Sequence, residues 1–168
     1  MRKFMLACVV ACGAFLIAPL AHAQEVPAKM PFDIPYGTPI NLEQATKVGQ
    51  AAQAEAKKRG WKLAIAVVVP SGELTYFLKM DGTQYGATTI AEHKARVAAK
   101  FRRPTKAFQD MLAANPPNFG VLLEDGVIAS EGGVPIEVDG KIIGAIGCSG
   151  GAWPQDALVA EVGADALK

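Results

Sequence analysis

The sequence predicts an α+β domain, an antiparallel sheet with helices packed on it, in the order helix–hairpin–helix–helix–hairpin–helix. Three observations lead there. Two pairs of short apolar segments flank tight turns, and short turns between neighbouring strands make a sheet antiparallel. Four stretches around those hairpins carry helical spacing or helix-start residues. The strand at residues 63–69 is apolar on both faces, which places it mid-sheet with cover on each side.

The chain opens with Arg2 and Lys3, an apolar run over 4–20, and Ala21-His22-Ala23, the small-x-small exit that signal peptidases accept. Residues 1–23 therefore read as a cleaved leader, and the mature protein as periplasmic or secreted. Cleavage removes Cys8, Cys12 and His22, leaving Cys148 as the sole cysteine and His93 as the sole histidine. A lone cysteine closes no internal disulfide, so the core must hold the fold. The 17 basic residues fall to 15 against 16 acidic ones, a net charge of −1. Nucleic-acid binding asks for a basic excess, and no second segment is long and apolar enough for a membrane. Residues 24–40, punctuated by Pro27, Pro31, Pro35 and Pro39, form an extended arm, and 41–168 form one domain.

Asn41 and Gln44 make a capping box for the first helix, and Leu42, Ala45, Val48, Ala52 and Ala56 give it an apolar face. Lys57, Lys58 and Arg59 suit its negative end and Gly60 the position beyond. The first hairpin joins 63–69 to 74–80 through Pro70-Ser71-Gly72-Glu73. A second helix covers 88–101, with Ile90, Lys94, Val97 and Phe101 along one side, and Pro104 ends it. Thr105 then caps a third helix through Ala114. In the second hairpin, 135–138 and 141–147, Asp139-Gly140 fits a type I′ turn. Pro154 starts a last helix that runs to about Leu167.

Chemistry has few places to sit. The glycine-rich run 144–151 leads from a strand into a helix, where backbone amides can receive a carboxylate or phosphate; equally, its glycines permit tight packing. It lacks the residues of a nucleotide loop, and there is no flavin signal. Gly132-Gly133 asks for unusual backbone geometry or the close approach of a ligand. His93 can ligate iron, but it lies in a charged stretch that also reads as solvated surface. Cys148 beside small residues reads as a buried, inert thiol.

Several of these motifs together resemble the GlcG/HbpS-like haem-binding family, which includes the C-terminal domain of PduO-type proteins. The matching elements are Gly132-Gly133-Val134-Pro135, Asp139-Gly140, Ile143-Gly144-Ala145-Ile146-Gly147 with Ser149-Gly150, and Gln155-Asp156-Ala157. Further matches are Met80-Asp81-Gly82, Glu92 with Lys94-Ala95-Arg96, and Pro104-Thr105. The resemblance implies a profilin-like domain, a homo-oligomer, and a haem or iron ligand in exported members. It places Glu92 where those members carry an iron-associated acid; His93 fills the variable position beside it and is a metal candidate by its own chemistry, not by the resemblance. On this reading Val97 and Phe101 contact a porphyrin, and Lys94, Arg96 or the Ser149 and Gly150 amides take its propionates. Gly132 and Gly133 border the site, and either His93 or another residue of the pocket faces the iron. The expected function is haem or iron scavenging, buffering or sensing. Two alternatives are an accessory binder of a small organic acid or corrinoid, and a haem-degrading enzyme.

Overall fold

The computed structural model describes residues 26–123 and 126–168. The leader expected at 1–23 lies outside the described residues. The chain divides into two compact units, Met1–Met30 and Pro31–Lys168. In the first, the described residues 26–30 have no regular structure. All that follows concerns the second.

Asn41 caps helix α1 (Leu42–Lys58) in both directions. Its Oδ1 accepts from the Gln44 N–H at 2.9 Å, and Gln44 Oε1 accepts from the Asn41 N–H at 3.1 Å. This capping box satisfies two amides that the helix itself leaves unpaired. The chain then forms β1 (Ala64–Val68) and β2 (Leu74–Lys79), helices α2 (Ala87–Lys100) and α3 (Lys106–Ala113), and a 3₁₀ turn at Phe119–Leu123. Strands β3 (Gly133–Val138) and β4 (Lys141–Ser149) and helix α4 (Trp153–Asp165) complete it. Asp139 and Gly140 join β3 to β4 with φ of 50° and 69°, the left-handed pair of a type I′ turn.

The sheet order is β2-β1-β4-β3, antiparallel throughout. The fold is thus α+β, as the hairpin and helix pattern predicts. Strand β1 lies inside the sheet and all five of its residues are buried. Its two faces differ in kind. Ile65 and Val67 point into a core of large aliphatic residues shared with α1 and α4, including Val48, Ile146 and Val159. Ala64, Ala66 and Val68 point to α2, which answers with Ala87, Ala91, Ala95 and Ala98. The small residues let α2 lie very close to the sheet. Gly147 marks the closest approach, since a Cβ there would collide with the Ala91 carbonyl oxygen.

The arm is partly integral to the domain. Tyr36 pairs with Ile142, the Gly37 N–H donates to the Ile142 oxygen at 2.8 Å, and Ile40 is buried in the core. The Tyr36 hydroxyl reaches the carbonyl oxygens of Ala99 and Lys100 at 2.9 and 3.0 Å, at the C-terminal end of α2. Residues 31–40 of the arm thus belong to the compact unit Pro31–Lys168. No helix among the described residues is long and apolar enough to cross a membrane.

Candidate functional site

Helix α2 presents two faces, and they separate the candidate residues. Ala91, Lys94, Ala95 and Ala98 face inward and are buried. Turned away from that face, His93, Arg96, Val97, Lys100 and Phe101 recur at i, i+3, i+4, i+7 and i+8. This is the spacing of a single stripe on a helix. With the turn Ser71-Gly72-Glu73 and Gly126, the stripe lines a groove of about 470 Å³. His93 and Phe101 are half-buried in its wall, and Val97 is buried behind them. Arg96 is held at two points. Its Nε donates to the Gly72 carbonyl oxygen at 3.2 Å, and its Nη2 donates to Glu92 Oε2 at 3.2 Å. The guanidinium keeps further N–H donors for a ligand. Lys100, at the far end, is exposed.

Of the expected site residues, the structure brings together His93, Arg96 and Phe101. Glu92 stands beside them, its carboxylate engaged by Arg96. Lys94 is corrected. Its ammonium is buried, donates to Asp156 Oδ2 at 2.9 Å and to the Cys148 carbonyl oxygen at 3.3 Å, and so is not free to meet a propionate. A lysine whose neighbours on both sides are charged reads as surface; only the fold reveals its partner on α4.

The glycines and Ser149 lie apart from this groove, in close contact with protein atoms on the side where a Cβ would stand. Gly132, at φ 122°, lies against the ion pair: a Cβ there would come within 2.9 Å of Lys94 Nζ and 2.8 Å of the Asp156 Cβ. Gly133 packs under the Lys94 carbonyl, and its N–H donates to Thr105 Oγ1 at 2.9 Å. Thr105 therefore spends its hydroxyl on the sheet and makes no side-chain cap on α3. Ser149 is buried and paired with Ala64, and Gly150 packs on the Lys62 carbonyl. The helix start does receive a carboxylate, the protein's own. Asp156 Oδ1 accepts from the Gly151 N–H at 3.0 Å, while Gln155 Oε1 accepts from the Ala152 N–H at 2.8 Å.

Burial pushes the Asp156 carboxyl up from its ordinary value, against the pull of the Lys94 ammonium. Burial, and then the Asp156 charge, push the Cys148 thiol well above the usual thiol range. Cys148 is wholly enclosed, the inert thiol its neighbours suggest. Among the described residues no group of three or more His, Cys, Asp and Glu side chains could hold a metal ion. Glu92 and His93 acquire no third such ligand. Reading the sequence also passes over Lys100 and the 71–73 turn. The first is recoverable from its i+7 spacing to His93; the second needs the folded hairpin.

One groove thus gathers an imidazole, two cations and an apolar wall beside a sheet that lies between helices. The chain belongs to the HbpS-like family: a family model described as haem-degrading protein HbpS-like matches residues 40–165. Protein GlcG of Escherichia coli K12 is 38% identical over 110 residues, spanning 66% of this chain and 81% of GlcG. The crystal structure of HbpS is similar at a TM-score of 0.72 and 29% identity, over 84% of this chain and 99% of that one. A complex of PduOC with haem is similar in fold at a TM-score of 0.71 and 22% identity, covering 78% of this chain and 96% of its own.

Proposed function

We propose that this is an exported haem-binding protein, for scavenging, buffering or sensing haem or iron, with the α2 groove as the site. The observation that carries the reading is the convergence of His93, Arg96, Lys100, Val97 and Phe101 on one groove. Its volume of about 470 Å³ lies within the range of small-molecule sites, roughly 300–1,000 Å³. The residues present match the group in kind. Val97 and Phe101 offer apolar surface to a porphyrin face, Arg96 and Lys100 offer charge-assisted hydrogen bonds to propionates, and His93 offers a ring nitrogen to iron. Haem held there would supply an iron centre able to take a nitrogen ligand and to change oxidation state. The chain's part is to hold it. Arg96, fixed by Gly72 and Glu92, orients the acid groups, and the alanine-packed α2 keeps the stripe of side chains in register along the groove. The HbpS-like family and the haem complex of a structural neighbour support the ligand.

Haem titration followed by absorbance tests the reading: a saturable, shifted band supports it, and a flat titration at micromolar haem rejects it. The family's haem-degrading description favours a second step, turnover of bound haem. Decay of the bound band with peroxide or reductant, faster than for free haem, would establish it. Export rests on the leader and is tested by N-terminal sequencing of protein recovered from periplasm or medium. Light scattering of the purified protein tests the expected homo-oligomer.

A further inference from the structure

A second groove, of about 430 Å³, lies between the end of α1, the turn into β1, and the end of β2. Lys57, Lys62 and Lys79 line it around Trp61 and Met80, and Asp81 is its one carboxylate. Elsewhere many exposed cations are already paired: Lys58 and Arg59 with Glu55, Lys106 with Asp110, Lys168 with Asp165. No such ion pair joins Lys57, Lys62 or Lys79 to a carboxylate among the described residues. Arg59, paired with Glu55, lies over Trp61, 5.1 Å from the ring. Lys57 suits the negative end of α1 and Lys79 lies over the Tyr85 ring, 4.9 Å from its centroid, while Lys62 sits at no helix end.

Like charges around a concave, partly apolar wall focus a field that draws in anions. An indole offers a stacking face, and ammonium groups on flexible stems adjust to an acid group without demanding fixed geometry. We propose that this groove is a second ligand site, for an organic acid with an aromatic body, whose ring lies on Trp61 and whose acid group meets the three lysines. At the glycine-rich run the Gly151 N–H already serves Asp156, whereas among the described residues no carboxylate is paired with Lys57, Lys62 or Lys79. The proposal is independent of haem in the α2 groove.

The chain holds two tryptophans, so Trp153→Phe leaves Trp61 as the only indole. In that haem-free protein, titration with anilinonaphthalene sulfonate, an aromatic anion, is read as energy transfer from Trp61. Saturable transfer is expected, with affinity lowered about tenfold or more by Lys57→Ala, Lys62→Ala and Lys79→Ala together. A control triple, Lys47→Ala, Lys106→Ala and Lys168→Ala, removes the same charge elsewhere and should change affinity less than twofold. Unsaturable transfer overturns the proposal, as does equal weakening by both triples or by neither. Unfolding curves of both triples confirm that the comparison is made on folded protein.

Discussion

Lys94 Nζ and Asp156 Oδ2 lie 2.9 Å apart in the interior, one on α2 and the other on α4, so an ion pair ties together helices from opposite faces of the sheet. Both side chains are almost wholly buried, at 1% and 2% exposure. Removing one partner of such a pair leaves an uncompensated charge, which costs about 3–5 kcal/mol, while replacing both by apolar residues is often neutral or stabilising. Asp156→Asn is therefore expected to lower unfolding free energy by about 3–5 kcal/mol. Lys94→Met with Asp156→Leu should recover most of that loss. Denaturant midpoints of the three proteins check both expectations.

The close approach of α2 makes a second prediction. A methyl group at Gly147 would meet the Ala91 carbonyl and approach the Ala95 nitrogen to 2.6 Å, both of them backbone that cannot rotate away. Gly147→Ala is expected to destabilise by about 1–3 kcal/mol through overpacking. A shifted midpoint with an unchanged denaturant slope is the result to look for. An unchanged midpoint would mean that α2 lies farther from the sheet.

Cys148 supplies a third. Its thiol is enclosed and its pKa is raised by burial, so the reactive thiolate is scarce in the folded protein. Iodoacetamide at pH 8 should leave Cys148 unmodified in native protein and modify it in denaturant, as mapped by peptide mass. The folded value stands above the ordinary 9.0, so the group adds no pH dependence below that value. Above it the unfolded chain ionises first, and stability falls as pH rises. Cys148→Ala should flatten that alkaline decline.

The elements were legible where the signal is local. The Asn41–Gln44 box and the Asp139-Gly140 turn depend on residues within a few positions of one another. The inward face of α2 was not. Lys94 and Asp156 are 62 residues apart, and nothing in the stretch around Lys94 marks it as the buried member among exposed charges. Thr105 carries a good cap residue's hydroxyl, yet the Gly133 N–H, 28 residues away, claims it. For the glycine-rich run the pattern left packing and ligand binding open, and the nearest contacts of Gly147 and Gly150 are with protein backbone. The groove was half legible: Val97 and Phe101 follow from helical spacing, which wrongly set Lys94 beside them, Arg96 follows from the family resemblance and His93 from its chemistry, whereas Gly72 joins them only through the first hairpin.

Charge at the α2 groove gives a fourth prediction. Arg96→Ala with Lys100→Ala removes both cations that line it, while Val97, Phe101 and His93 stay in place. Charge-assisted hydrogen bonds contribute about 1.5–3 kcal/mol each at best, and less where exposed, as Lys100 is. Haem affinity is expected to fall about tenfold to a hundredfold, with the absorbance band position kept because the iron ligand is untouched. A shifted band would assign the cations a different role.

The most direct measurement is a haem titration followed by absorbance, with wild type and His93→Ala side by side. The groove reading predicts saturable binding by the wild type with a shifted, intensified band, and in His93→Ala a displaced band with weaker affinity. Wild-type binding with an identical band and affinity in His93→Ala would contradict the assignment of His93. A flat wild-type titration would contradict haem binding itself.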